Sequence, residues 1–246
     1  MDGQQILDLI TSILGGESPD QTYLLQLINL SKMMIENGIN PAKEDAGSRP
    51  WKVLVTLDKT KTVNGSNTYT TAIDLPSNFK RYLGESSLTQ GKLILFDGSN
   101  NIQYLTEIPF ELITEYKDIF GYFAVDYSNK KFYITGIVPG SFTIYQYYIK
   151  KTEPITLTAG WTNFDSDFHP ILAFDTAARY RLGTDYDDVN ARNADANIRM
   201  VNGIFNAMSS WDAEMAISAI NNIDYPNVNG SDYRGISGIG PRGIRA

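Results

Sequence analysis

The sequence predicts an α+β protein: a helical bundle built from both ends of the chain, an inserted antiparallel β-sandwich or barrel, and an extended C-terminal arm. Three observations carry this prediction. Apolar residues recur at helical spacing before residue 40 and after residue 167, and they alternate between turn residues from Trp51 to Lys151. Beyond Asn222, glycines separate the isoleucines too widely for these to bury together. The expected divisions are N-terminal helices over 1–47, a β-rich insertion over 48–155, C-terminal helices over 156–222 and an arm over 223–246.

Ile6, Ile10, Ile13 and Leu14 fall on one helical face, which Gly15 and Gly16 end. Ser18, Pro19 and Gln21 then offer an N-cap oxygen, a proline at the first helical position and a capping-box glutamine. Leu24, Leu25, Ile28 and Ile35 extend that second helix to Gly38, suited to a left-handed C-terminal cap, and Pro41 prevents its resumption.

From Trp51 the period changes to two. The stretches WKVLVTL and TYTTAIDL read as a hairpin turned through Asn64-Gly65. Further strands are expected in KLILF, IQYLTEI, YFAVDY, KFYITGI and SFTIYQYYIKK, and a short helix in PFELITEYKDIF. Asp167 is positioned to cap a helix ending at Gly183, and Thr184 or Asp185 a longer one from about Asp187 to Asn222. Along that last helix Val189, Ala196, Met200, Ile204, Met208, Met215 and Ile220 form the expected stripe, over roughly 50 Å.

Composition narrows the function. A formal net charge of −7 and a pI near 4.8 argue against a general phosphate-neutralising surface. The chain has no cysteine, which excludes disulfides and thiolate chemistry and fits synthesis in a reducing cytoplasm. No cationic leader and no apolar run of about 20 residues stand out, so neither a signal peptide nor membrane insertion is expected.

Motifs for chemistry are sparse. The lone histidine, His169, precedes Pro170 in a first helical turn and reads as structural, because a zinc site or a hydrolase triad would need partners that are missing. GISGIGPRG neither follows a strand nor opens a helix, so it is no phosphate cradle. Paired carboxylates for glycoside hydrolysis could come from Asp165 and Asp167, from Asp185, Asp187 and Asp188, or from Glu85, Glu107, Glu111 and Glu115. The aspartates stand where helix caps and first-turn acids belong, and that role accounts for them without a substrate. No catalytic residue, cofactor or metal is therefore expected.

The C-terminal segment mixes anchor-like residues with glycine. Tyr233, Ile236, Ile239 and Ile244 stand beside Arg234, Arg242 and Arg245, a composition expected of an arm that orders on a partner.

The order of parts carries a resemblance. Two helices lead into strands containing Asp74-Leu75-Pro76-Ser77-Asn78-Phe79; then come His169-Pro170-Ile171-Leu172 at a helix start, Ala177-Ala178-Arg179-Tyr180, and a long helix to Asn222. Over most of residues 18–222 this resembles the head-to-tail adaptor (connector or neck) proteins of tailed bacteriophages, the short-tailed type above all. The resemblance implies a structural virion protein made in the host cytoplasm. It implies a homo-oligomeric ring, usually twelvefold, under the portal protein, with DNA passing through the lumen unbound. Its C-terminal arm would hold the portal, and its body would receive tail and neck proteins. Two other functions fit the composition: a virion-associated glycoside hydrolase using paired carboxylates, and a carbohydrate-binding β-module with exposed aromatic rings.

Overall fold

A computed structural model of the chain describes residues 1–17, 19–43, 51–65, 70–82, 93–97, 99, 102–184 and 188–221. Among these the protein is α+β, with four α-helices and one mixed eight-stranded sheet. The expected arm, 223–246, lies outside the described residues. Two compact units divide the chain: the first takes described residues within 1–57, 75–89 and 147–218, the second those within 58–74, 90–146 and 219–246.

In the first unit, α1 (Gly3–Ile13) and α2 (Gln21–Glu36) pack against α3 (Pro170–Thr184). Asp2 caps α1 with a complete capping box, its carboxylate accepting from Gln5 N while Gln5 Oε1 accepts from Asp2 N. The cap of α2 is Asp20, which accepts from Thr22 N at 2.9 Å, in place of the expected Ser18, which lies outside the described residues. Gly38, at φ +77°, ends α2 in the left-handed conformation expected of it. Ile6, Ile10, Ile28, Ile35, Ile171 and Leu172 are fully buried and form the centre of this core. Asn29 ties α2 to a distant chain segment by donating to Ile155 O and accepting from Ile155 N.

Trp51 enters the same core. Its ring meets Phe164 and Phe205 edge-on at 5.3 and 5.4 Å, and its indole N–H donates to Ile35 O. The 3-10 turn that follows, Lys52–Leu54, gives the amides of Lys52 and Val53 to the Asp212 carboxylate, both at 3.1 Å. Asp212 belongs to α4 (Asp188–Asn221), whose buried face includes Ala194, Val201 and Met208. Along the expected stripe, Met208 is fully buried while Val189 and Met200 are exposed at 64% and 49%. The apolar residues of α4 therefore cover two faces, of which the fold uses one.

The strands are β1 (Val55–Val63), β2 (Thr70–Asp74), β3 (Phe79–Tyr82), β4 (Leu93–Phe96), β5 (Ile102–Glu107), β6 (Tyr122–Asp126), β7 (Lys131–Thr135) and β8 (Phe142–Lys150). They hydrogen-bond in the order β1-β8-β4-β5-β6-β7-β2, with β3 on β8. This corrects the expected hairpin, since β1 and β2 stand at opposite ends of the order. A turn signal such as Asn64-Gly65 specifies a local reversal, but strand pairing follows burial and cross-strand packing, which favour distant partners here. The sheet is also not wholly antiparallel, because β5 and β6 pair in parallel through Thr106 and Tyr122.

Within the second unit the strands expected in YFAVDY and KFYITGI form and pair as the β6–β7 hairpin. Asp126 accepts from the amides of Ser128 and Asn129 and from the Asn129 side chain, and Lys130 takes φ +53°. These hydrogen bonds, those from Asn129 foremost, hold the Asp126 carboxyl below the ordinary range. Phe123, Phe132 and Ile134 are fully buried, as are Leu93 and Leu95 of β4. The short helix expected in PFELITEYKDIF is the 3-10 helix Phe110–Leu112.

Candidate functional site

The seven residues expected to bind a partner, Tyr233, Arg234, Ile236, Ile239, Arg242, Ile244 and Arg245, lie outside the described residues, as do Asp185, Asp187 and Glu85. The described residues supply a second set of candidates: a buried polar cluster, a buried histidine and two exposed apolar helix faces.

The polar cluster centres on Glu36, which with Lys32 provides the charges of α2. Lys32 Nζ lies 3.1 Å from Glu36 Oε1 and donates to Thr152 Oγ1. Thr152 donates to Glu36 Oε2 at 2.5 Å and Trp161 Nε1–H donates to Oε1 at 2.8 Å. Both carboxylate oxygens and the ammonium are thus engaged inside the protein, the arrangement a buried ion pair needs to persist. Lys80 lies close by and donates to Asn37 Oδ1 at 2.8 Å; burial pulls its ammonium below the usual lysine value against the opposing Glu36 charge. Three donors from within the protein hold this buried carboxylate, and these contacts tie α2 to the segment before α3.

His169 is also fully engaged. The Met1 ammonium donates to Nδ1 at 2.8 Å, and Nε2–H donates to Phe164 O at 3.1 Å, which fixes the neutral ring in one tautomer. Burial lowers its pKa below the ordinary 6.5, in opposition to the hydrogen bond at Phe164.

The residues that carry the resemblance are structural in their contacts. Ala177 and Ala178 are buried in α3, and Arg179 pairs with Asp175 at 2.8 Å while Ser31 donates to the same carboxylate. Asn78 Oδ1 accepts from the Tyr148 hydroxyl, and the Phe79 ring lies 5.5 Å from that of Tyr148. Of the carboxylates considered for hydrolysis, Asp165 caps the 3-10 turn Ser166–Phe168 by accepting from Asp167 N. Asp165 thus caps the turn that precedes α3, and Asp167, expected to cap the helix itself, lies within that turn. Among the described residues, no three His, Cys, Asp or Glu side chains are grouped so as to hold a metal ion, and no helix is long and apolar enough to cross a membrane.

The exposed apolar faces lie on α2 and α4. On α2, Tyr23, Leu30 and Met33 are exposed at 42%, 38% and 53%, at spacing i, i+7 and i+10. Both charged residues of this helix, Lys32 and Glu36, are turned inward, so the outer face carries no charge. On α4, Val189, Ala196, Met200 and Ala207 are exposed at i, i+7, i+11 and i+18, with half-buried Ile204 between them. The α2 face escaped the sequence analysis, which matched apolar residues to an inner stripe. Its signal is the uncharged outer side of QTYLLQLINLSKMMI, since an ordinary surface helix places charge there. No protein-family model matches this chain, and no curated protein matches it.

Proposed function

We propose that this chain is a structural, non-enzymatic virion protein: a head-to-tail adaptor whose copies form a ring joining the portal to tail components, located at the neck of the particle. Tyr233, Ile236, Ile239 and Ile244 anchor its C-terminal arm on the portal, and Arg234, Arg242 and Arg245 pair with portal carboxylates or carbonyls. The observation that carries this reading is the order of parts. Helices from both ends of the sequence share one core, the strands come between them in sequence, and a 34-residue helix precedes the proposed arm in the sequence. The engaged states of Glu36, His169 and Asp165 give further support, because each is explained by a structural role. An extended arm adds contact area without needing a core of its own, at an ordering cost of about 2 to 5 kcal/mol.

Deleting residues 229–246 tests the arm. Portal binding is expected to vanish while the far-UV circular dichroism and melting temperature stay close to those of the full chain. Binding that survives the deletion refutes the assignment of the arm.

A further inference from the structure

The two exposed apolar faces of the first unit are unlike each other and complementary. The face of α2 is short, about 15 Å from Tyr23 to Met33, and uncharged, with exposed Glu17 and Asp20 at its N-terminal end. The stripe on α4 is longer, about 27 Å from Val189 to Ala207, and exposed Arg192 and Arg199 edge its N-terminal half. Neither arginine has an ion-pair partner among the described residues, and Asp195 lies beyond both of them, about 100° or more round the helix from the stripe. An acidic end thus belongs to one face and a basic edge to the other.

The faces also point different ways. Asn202 Oδ1 accepts from Asn40 Nδ2 just past the end of α2. It sits two residues beyond Met200, about 200° round the helix, so the stripe lies on the side of α4 turned away from that contact. One copy therefore cannot satisfy its own stripe with its own α2.

We infer that the α2 face of one copy docks on the α4 stripe of the next, with the two helices parallel. Tyr23 of one copy then lies level with Met200 of its neighbour, and Glu17 and Asp20 lie beside Arg192 and Arg199. Because the two surfaces differ, the contact is heterologous, the kind that builds a ring when its repeated rotation closes. The occupant is a second copy of this chain because the charge pattern of each face answers the other. The inference rests on the ring-forming reading above and assigns the surfaces that build the ring.

The test uses the full chain and two variants, Met33→Glu and Met200→Glu, each at a side chain about half exposed. Native mass is measured for the wild type, for each variant alone and for an equimolar mixture of the variants, with circular dichroism as a check on folding. The wild type is expected to assemble, and each variant alone to remain a monomer. The mixture is expected to give a dimer containing one copy of each, since Met33→Glu keeps its stripe and Met200→Glu keeps its α2 face. Variants that assemble like the wild type overturn the surfaces and leave the ring itself standing. Variants that stay apart when mixed overturn the heterologous pairing. A wild type that stays monomeric at every concentration overturns the inference, while portal binding by the same sample would show that the adaptor reading survives without it.

Discussion

Glu36 and Trp161, 125 residues apart, are joined by a buried hydrogen bond of 2.8 Å from the indole N–H to the carboxylate. The bond ties the last turn of α2 to the segment leading into α3, and the same carboxylate balances Lys32. Glu36→Ala is expected to cost about 3 to 5 kcal/mol, because it leaves the Lys32 ammonium buried without a counter-charge. The double variant Lys32→Met/Glu36→Met should recover much of that loss. Urea melts of the single and double variants check this through the sign of the coupling.

Asp212 anchors the entry to β1 by accepting two backbone amides. Asp212→Ala leaves both N–H groups without that partner and is expected to cost about 1 to 3 kcal/mol per group that stays buried. Hydrogen exchange should quicken at Lys52 and Val53 before it changes elsewhere.

Gly136 stands at φ +74°, and a Cβ built on it would lie 2.3 Å from Phe120 N. Gly136→Ala therefore meets both an unfavourable conformation and a backbone clash, and should destabilise by about 2 kcal/mol or more. Thermal unfolding followed by tyrosine fluorescence reads the loss.

His169 makes stability depend on pH. Its folded-state pKa lies below the ordinary 6.5 because burial, with the Met1 ammonium alongside, disfavours a charged ring. Below about 6.5 the unfolded chain takes up a proton that the folded chain resists, so stability falls as the pH drops toward the folded-state pKa. Melting temperature should decline between about pH 7.5 and pH 5. His169→Gln should flatten that part of the profile.

The two faces of α4 predict opposite responses to the same substitution. Met208→Ala, at a fully buried position, should cost about 2 to 5 kcal/mol, while Met200→Ala should change the stability of the isolated chain by less than about 0.5 kcal/mol. Chemical denaturation of the two variants distinguishes the packed face from the free one.

Much of the framework was legible in the sequence because its signals are local. Gly38 at the end of α2, the Asp126-to-Lys131 hairpin and the inward positions Ile6, Ile10 and Ile28 all follow from spacing and turn chemistry. What was illegible depends on distant partners. β1 pairs with β8 although Asn64-Gly65 suggests a reversal into β2, because sheet pairing follows which faces bury together. Met200 and Met208 share an apolar periodicity, yet tertiary packing alone decides that Met208 is covered and Met200 exposed. The buried ion pair was equally hidden: the i, i+4 spacing of Lys32 and Glu36 carries no sign that Thr152 and Trp161 close over them. The expected partner-binding residues, Tyr233 to Arg245, fall outside the described residues.

The most direct test of the adaptor proposal is the native mass of the full-length chain, alone and mixed with the portal protein from the same genome. A large discrete complex with the portal, holding many copies of this chain, is the predicted result. A chain that remains a free monomer in the presence of assembled portal contradicts the proposal.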